Sequence, residues 1–361
     1  MPTIHDVAKR AGVSISTVSR AFTSPGLTSD DTQARVRKAA GELDYKHRGT
    51  DRSPLGTAPK GIGLTRGTNR SRTTIGFQFF AATPDDTLAC NTFYAPMLSG
   101  AQAEAATARV NLLVHTTDRH TLLADSSLMV DEASVHGVLL VGATDPAVIA
   151  AFAARVSRMI LVDNPDPINA HDCILSDGFE GGYAATRHLL DLGHRRIAFY
   201  APEEGVATFR DRQRGYIVAL VEAGLLVDPQ LVWVYPGGTS ARNEATLAER
   251  LGGLTGGDCP TALVAANDLH AFLAIHACQR LGLRVPEQIS VVGFDDAPQN
   301  MMLARPLTTV RVNKEAMGRL AVRRLLARIE EVRDEAVPVP PCRYVIPVNL
   351  IVRESTCPPP D

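Results

Sequence analysis

Aromatic side chains are scarce in this chain, 5% of 361 residues with one tryptophan, and no apolar run reaches membrane-spanning length. The first residues carry no apolar signal-peptide core, so the expected compartment is the cytoplasm, with no membrane partner. Cysteine is sparse: Cys90, Cys173, Cys259, Cys278, Cys342 and Cys357 stand far apart with no CxxC pair. In the cytosol that spacing gives buried or idle thiols rather than a disulfide or zinc framework. The ten histidines show no HExxH spacing, so neither a metal nor a cofactor is expected. There is no GxSxG elbow and no nucleotide fingerprint after a strand. The glycines of GIGLTRG are not followed by a P-loop Lys-Ser/Thr. An enzyme is therefore the weaker reading.

What is present begins almost at the first residue. In TIHDVAKRAGVSISTVSRAF (3–22), Thr3 stands three residues before Asp6, in the places of a capping box. Ile4, Val7, Ala8 and Ala11 make one apolar helix face, and Gly12 ends it. Ser14 is placed to cap a second helix whose buried side carries Val18 and Phe22. That leaves Ile15, Ser16, Thr17 and Arg20 outward, near its N-terminal part. Taken alone this is either a structural helical hairpin or a helix-turn-helix whose second helix enters the DNA major groove. A third helix, from about Asp30 to Leu43 with Val36, Ala39, Ala40 and Leu43 buried, makes a minimal three-helix head.

Charge divides the chain the same way. Residues 1–74 hold 13 Lys+Arg against 6 Asp+Glu, and the remaining residues hold 24 against 33. A basic head on an acidic body is expected when only the head meets phosphate. Residues 46–73, rich in Gly, Pro, Thr and Arg, read as a basic linker.

From Thr73 the chain alternates apolar strands with amphipathic helices. Strands are predicted at 74–80, 110–115, 137–141, 159–162, 173–176, 196–200, 231–235, 262–265 and 289–294. Helices are predicted at 183–192, 211–223, 243–251, 271–281 and 314–328. This βαβ rhythm implies parallel sheets covered on both faces, in two Rossmann-like lobes. Ligands in such folds sit beyond the carboxyl ends of strands. Asp163, Asp177, Asn267, Asp268, Asp295 and Asp296 lie there, and Arg212 starts a helix. Each acid or amide is alternatively a helix N-cap, above all Asp177 and Asn267. Asp295 and Asp296, adjacent on an extended chain, point to opposite sides, so only one faces a shared ligand.

The chain resembles the lac repressor (LacI/GalR) family of bacterial transcription regulators over nearly its whole length. TIHDVAKRAGVSISTVSRAF and SDDTQARVRKAAGELDYK resemble the family's head. ATRHLLDLGHRRIAF, RGYIVALVEAGL, AANDLHA, LGLRVPEQISVVGFDD, PLTTVRV, MGRLA and LIVREST resemble successive segments of its body. The resemblance implies an α/β core of two Rossmann-like, periplasmic-binding-protein-like lobes behind a small all-α helix-turn-helix head. The implied divisions are a head at 1–48, a hinge or linker at 49–73, a core at 74–355 and a tail at 356–361. Chain crossings near 175, 311 and 341 would give one lobe 74–174 and 312–340, and the other 175–311 and 341–355. The implied activity is repression by a homodimer or tetramer on a near-palindromic double-stranded operator, switched by a small effector such as a sugar or related polar metabolite; the short Pro-rich tail CPPPD favours the dimer. A solute-binding protein without a DNA role is the alternative.

Carried onto this chain, the resemblance makes Ile15, Ser16 and Arg20 the base-reading residues, with Ile15 suited to a thymine methyl and Arg20 to guanine. Thr3, Ser14, Thr17 and Ser19 are placed for phosphate contact and capping. Leu64 is the counterpart of a leucine that family members insert into the operator minor groove from a hinge helix. Here Pro54, Gly56, Pro59, Gly61, Gly63 and Gly67 discourage a regular helix around it. The implied effector residues are Phe93, Tyr94, Asp163, Asp177, Arg212, Asn267 and Asp295. Two departures bear on the effector: Gly178 replaces an asparagine, and Gly238 stands where an aromatic commonly stacks on a sugar.

Overall fold

The computed structural model describes residues 2–23, 29–43, 45, 73–81, 87–118, 135–142, 145–202, 207–235, 240–253, 259–333 and 339–360. The chain divides into two compact units, Met1–Asn69 and Arg70–Asp361. Leu64, Gly238 and nearly all of the linker lie outside the described residues.

The first unit contains helices α1 (Ile4–Ala11), α2 (Ile15–Thr23) and α3 (Asp30–Glu42). The Thr3 backbone N–H and hydroxyl each donate to the Asp6 carboxylate at 2.7 Å, which fixes the start of α1. Gly12 takes a left-handed conformation, φ 66°, and ends it. Ser14 Oγ accepts from the Thr17 N–H at 3.2 Å and caps α2. Val7, Ala8, Ala11, Val18, Ala21, Val36, Ala39 and Ala40 form the buried centre, ringed by Ile4, Phe22, Leu43 and Tyr45. An Arg35 guanidinium donates to the Ala11 carbonyl at 2.7 Å, tying α3 to the end of α1.

The second unit holds two six-stranded sheets. The first contains β1 (Thr74–Ala81), β2 (Asn111–Asp118), β3 (Val138–Val141), β4 (Met159–Val162), β5 (Asp172–Ser176) and β11 (Arg343–Ile346). Its order is β11-β5-β4-β3-β1-β2, parallel throughout. The second contains β6 (Ile197–Pro202), β7 (Val232–Tyr235), β8 (Ala262–Ala265), β9 (Ser290–Asp295), β10 (Thr308–Val312) and β12 (Val348–Ile351). Its order is β12-β10-β9-β8-β6-β7, and only β12 is antiparallel to its neighbour. Runs such as VLLV and MILV are buried along their whole length, as strands covered on both faces must be.

Helices α4 (Tyr94–Ala108), α5 (Pro146–Ala153) and α10 (Lys314–Arg333) pack on the first sheet or on each other. Helices α6 (Gly178–Asp191), α7 (Ala207–Glu222), α8 (Ser240–Gly253) and α9 (Asp268–Arg280) belong to the second. Glycine allows one very close helix pair in each lobe. A Cβ on Gly318 of α10 would lie 1.9 Å from the Met97 carbonyl of α4, and one on Gly182 of α6 would lie 2.1 Å from the Arg212 carbonyl of α7. The second pair sets the height at which Arg212 stands.

The chain leaves the first sheet after β5 and returns between β10 and α10, near the expected 175 and 311. The third crossing is corrected from 341 to Pro347. Residues 343–346 pair with β5 in the first sheet, and only from Val348 does the chain join the second. The cause is Asp172, whose carboxylate accepts the Cys342 N–H and binds Arg324 and Arg328 of α10, so the strand is held at the first sheet's edge. Pro347 has no N–H to continue either ladder.

Candidate functional site

In the head, α2 begins with exposed Ile15, 42% accessible, beside the exposed hydroxyls of Ser14 and Ser16. Ser14 Oγ lies 2.8 Å from both Ser16 Oγ and Thr17 Oγ1, so three hydroxyls cluster at the helix start. Ser19 is half-buried on the same helix, and of Arg20 only the helical backbone is described. An apolar tip among small donors at the N-terminal end of an exposed helix suits a groove lined with methyl groups, base edges and phosphates.

In the core, a cavity of about 560 Å³ is lined from both lobes. The first lobe supplies an aromatic pair. Asn91 Oδ1 accepts the N–H groups of Phe93 and Tyr94 at 3.1 and 2.9 Å, which fixes where both rings start. The rings meet edge to face at 5.0 Å. The Tyr94 hydroxyl donates to Asp163 Oδ2 at 2.8 Å. Asp163 follows β4 in a left-handed conformation, φ 58°.

The second lobe supplies Arg212, Asn267 and Asp295. The Arg212 guanidinium lies 3.7 Å above the Phe294 ring and donates to the Ala266 carbonyl. Its Nη2 is 3.6 Å from Asp295 Oδ1. Asn267 Oδ1 caps α9 by accepting the His270 N–H at 2.9 Å, while the residue also lines the cavity. Asp295 and Asp296 both adopt left-handed conformations, φ 114° and 53°, a strain of about 1–3 kcal/mol each. Lys314 Nζ, at the start of α10, donates to both of their carbonyls and holds this turn.

Only Asp295 faces the cavity. Asp296 turns away to Arg311 and Arg353, at 2.7 and 2.6 Å. Burial pushes the Asp295 carboxyl up to about 8, against the opposing pull of Arg212. Burial raises Asp163 to about 6. Beneath them Asp268 accepts from the Ala297 N–H, Asn300 Nδ2 and Thr309 Oγ1 at 2.7, 2.8 and 2.6 Å, and burial raises it too. Among the lining residues, three buried polar atoms have no hydrogen-bond partner: Asp163 Oδ1, Arg212 Nε and Asp295 Oδ1. Together they form a polar grip spanning both lobes.

Of the seven expected effector residues, six line this cavity. Asp177 does not: it caps α6, accepting the Glu180 N–H at 2.9 Å, and its own N–H donates to Ile346. The structure places it at the lobe crossing as the cap of α6, outside the lining of this cavity. A side chain at Gly178 would sit 3.1 Å from the Thr208 carbonyl, so the glycine there suits the tight approach of α7. Sequence reasoning missed Lys314, Asn91, Phe209, Phe272 and Gln299 as lining residues. Lys314 opens a predicted helix just after a crossing, and that position was the available signal.

Comparison with known proteins agrees with this anatomy. Residues 3–47 match the model of bacterial regulatory proteins of the lacI family, and residues 186–356 match a periplasmic binding protein-like domain. The HTH-type transcriptional repressor PurR of Aliivibrio salmonicida is 31% identical over 343 residues, 93% of this chain and 94% of that one. PurR of Haemophilus influenzae (strain PittEE) is 31% identical over 358 residues, covering 98% of both. Among solved structures, a complex of the transcriptional regulator CelR with cellobiose superposes with TM-score 0.68 at 27% identity, covering 98% of this chain and 100% of that one. The lac repressor dimer bound to operator and the anti-inducer ONPF superposes with TM-score 0.61 at 25% identity, covering 99% of each. With a lacI-type head, a periplasmic-binding-protein-like core and repressors as full-length relatives, the chain belongs to the lacI family of bacterial regulatory proteins and is a DNA-binding transcriptional repressor with an effector-binding domain.

Proposed function

We propose that this repressor binds a near-palindromic operator as a homodimer in the cytoplasm, and that a small polar effector in the 560 Å³ cavity sets its operator affinity. The observation that carries the reading is the set of buried atoms without a hydrogen bond on opposite lobes, Asp163 Oδ1 against Arg212 Nε and Asp295 Oδ1. A hydroxylated or heterocyclic neutral molecule offers donors and acceptors to all three. Phe93 and Tyr94 supply an apolar wall, so a sugar or related polar metabolite fits the lining. In the head, Ile15, Ser16 and Arg20 read bases, while Thr3, Ser14, Thr17 and Ser19 hold the backbone. Leu64, in the linker, is assigned to the minor groove.

The switch works by linkage. An effector that holds the lobes together shifts the operator equilibrium only by its different affinity for open and closed lobes. In a dimer, lobe rotation changes the spacing of two heads that must match half-sites about one helical turn apart. The division that serves this is a head at 1–48, a linker at 49–73 and a core at 74–355 with a short tail.

A thermal-shift screen against sugars, sugar acids, nucleosides and small phosphates is the test, since a bound ligand raises apparent stability. A hit should shift wild type, fail with Asp295→Asn, and change wild-type operator binding. A hit that stabilises Asp295→Asn equally places the ligand elsewhere. A hit that leaves operator binding unchanged makes the core a solute binder without control of the head.

A further inference from the structure

Helix α7 carries arginine at 210, 212 and 214. At 3.6 residues per turn, 210 and 214 share a face and 212 lies about 200° from 210. Arg212 is buried in the large cavity, whereas Arg210 and Arg214 line a second cavity of about 480 Å³. Its opposite wall comes from the first lobe: the Asn164–Pro167 turn after β4, and Arg343 at the start of β11. Two lobes thus bring three guanidinium groups to one cleft, with α7 between it and the large cavity.

The carboxylates in this cleft are already committed. Asp166 is buried and accepts the N–H groups of Ile168, Ala170 and His171 at 3.0, 2.8 and 2.9 Å, together with the His171 ring at 2.8 Å. Its charge organises its own turn. Asp211 pairs with Arg214 at 3.0 Å. Arg210 and Arg343 make no ion pair with any described residue. A concave site with three guanidinium groups against two carboxylates, and an arginine outside any ion pair on each wall, attracts anions, and the arginine fork matches phosphoryl oxygens.

We propose that this second cleft binds a small phosphoryl-bearing anion, held by Arg343 of one lobe and by Arg210 and Arg214 of the other. An anion there bridges the lobes and favours their closed arrangement, so it acts as a second input, independent of the ligand in the large cavity.

The test is isothermal titration of the full chain with inorganic pyrophosphate at ionic strength fixed by sodium chloride. The expected result is one saturable site per chain, weakened roughly tenfold or more by Arg343→Gln and by Arg210→Gln. Arg343→Lys, which keeps the charge and loses the fork, should fall between. Arg210 and Arg343 are exposed, so thermal midpoints of the unliganded variants should stay near wild type. Absence of saturable heat overturns the proposal. So does pyrophosphate binding that survives both cleft variants, which locates the anion elsewhere, on the basic head or in the large cavity.

Discussion

The head and the core store information in opposite places. The head has a small centre of alanine and valine, and among its described residues it buries no polar or charged side chain. Ile15, Ser14 and Ser16 present their chemistry at the surface. The core buries Asp163, Arg212, Asp268 and Lys314, groups that cost several kcal/mol unless paired. A surface reader carries its contact chemistry on exposed side chains and needs no ligand to complete it. A buried, incompletely partnered polar set is sensitive to whatever completes it, which is what an input site requires.

That contrast predicts unequal consequences of substitution. Arg212→Ala should act most strongly, because it leaves Asp295 without its cation and the Ala266 carbonyl without its donor. Core stability should fall by about 3–5 kcal/mol in urea unfolding above pH 8, where Asp295 is ionised, with the head's own transition unmoved. Simultaneous loss of both transitions would break the separation of the two units. Next, Arg20→Ala should cost roughly 1–3 kcal/mol of operator binding and relax preference at one base position, with no change in core unfolding. A loss uniform across operator sequences would make Arg20 a phosphate contact instead.

Asp295→Asn sharpens the contrast through pH. The folded Asp295 carboxyl titrates near 8, against 3.8 when unconstrained, so the folded state holds the extra proton between those values. The group therefore weakens the fold progressively as pH rises from about 4 to 8. The asparagine variant should gain most in thermal midpoint above pH 8, with the gain fading toward pH 4. A gain independent of pH would show that the buried charge is not what the asparagine removes. The smallest effect is expected from Asp177→Ala, about 1 kcal/mol of core stability through the lost α6 cap. Ligand response should persist, and its loss would return Asp177 to the cavity.

The two regions also differed in how far they could be read from sequence. The head was legible because its signals are local. The apolar face of α1, Gly12 and the Ser14 cap all act within a few residues. In the core, VLLV, MILV and ALVA marked buried strands directly. Strands β10 to β12 were not predicted. Thr308 and Thr309 read as polar until Asp268 and Arg353 are seen to engage their hydroxyls, and β11 and β12 are short, half-exposed edges. Asp163, Arg212 and Asp295 were legible as strand-end and helix-start residues and from family resemblance. Their orphaned atoms, and the role of Lys314, depend on contacts across the lobe crossings, which no local pattern encodes. Asp177 shows the ambiguity of a short acid before a helix, where cap and ligand contact look alike.

The central claim is that occupancy of the buried grip controls the exposed reader. It is tested most directly by measuring operator dissociation constants of wild type and Asp295→Asn, with and without a small molecule that stabilises only the wild type. The account predicts a shift of about 5–150-fold for wild type and none for the variant. Equal operator affinity of wild type with and without that molecule would contradict it.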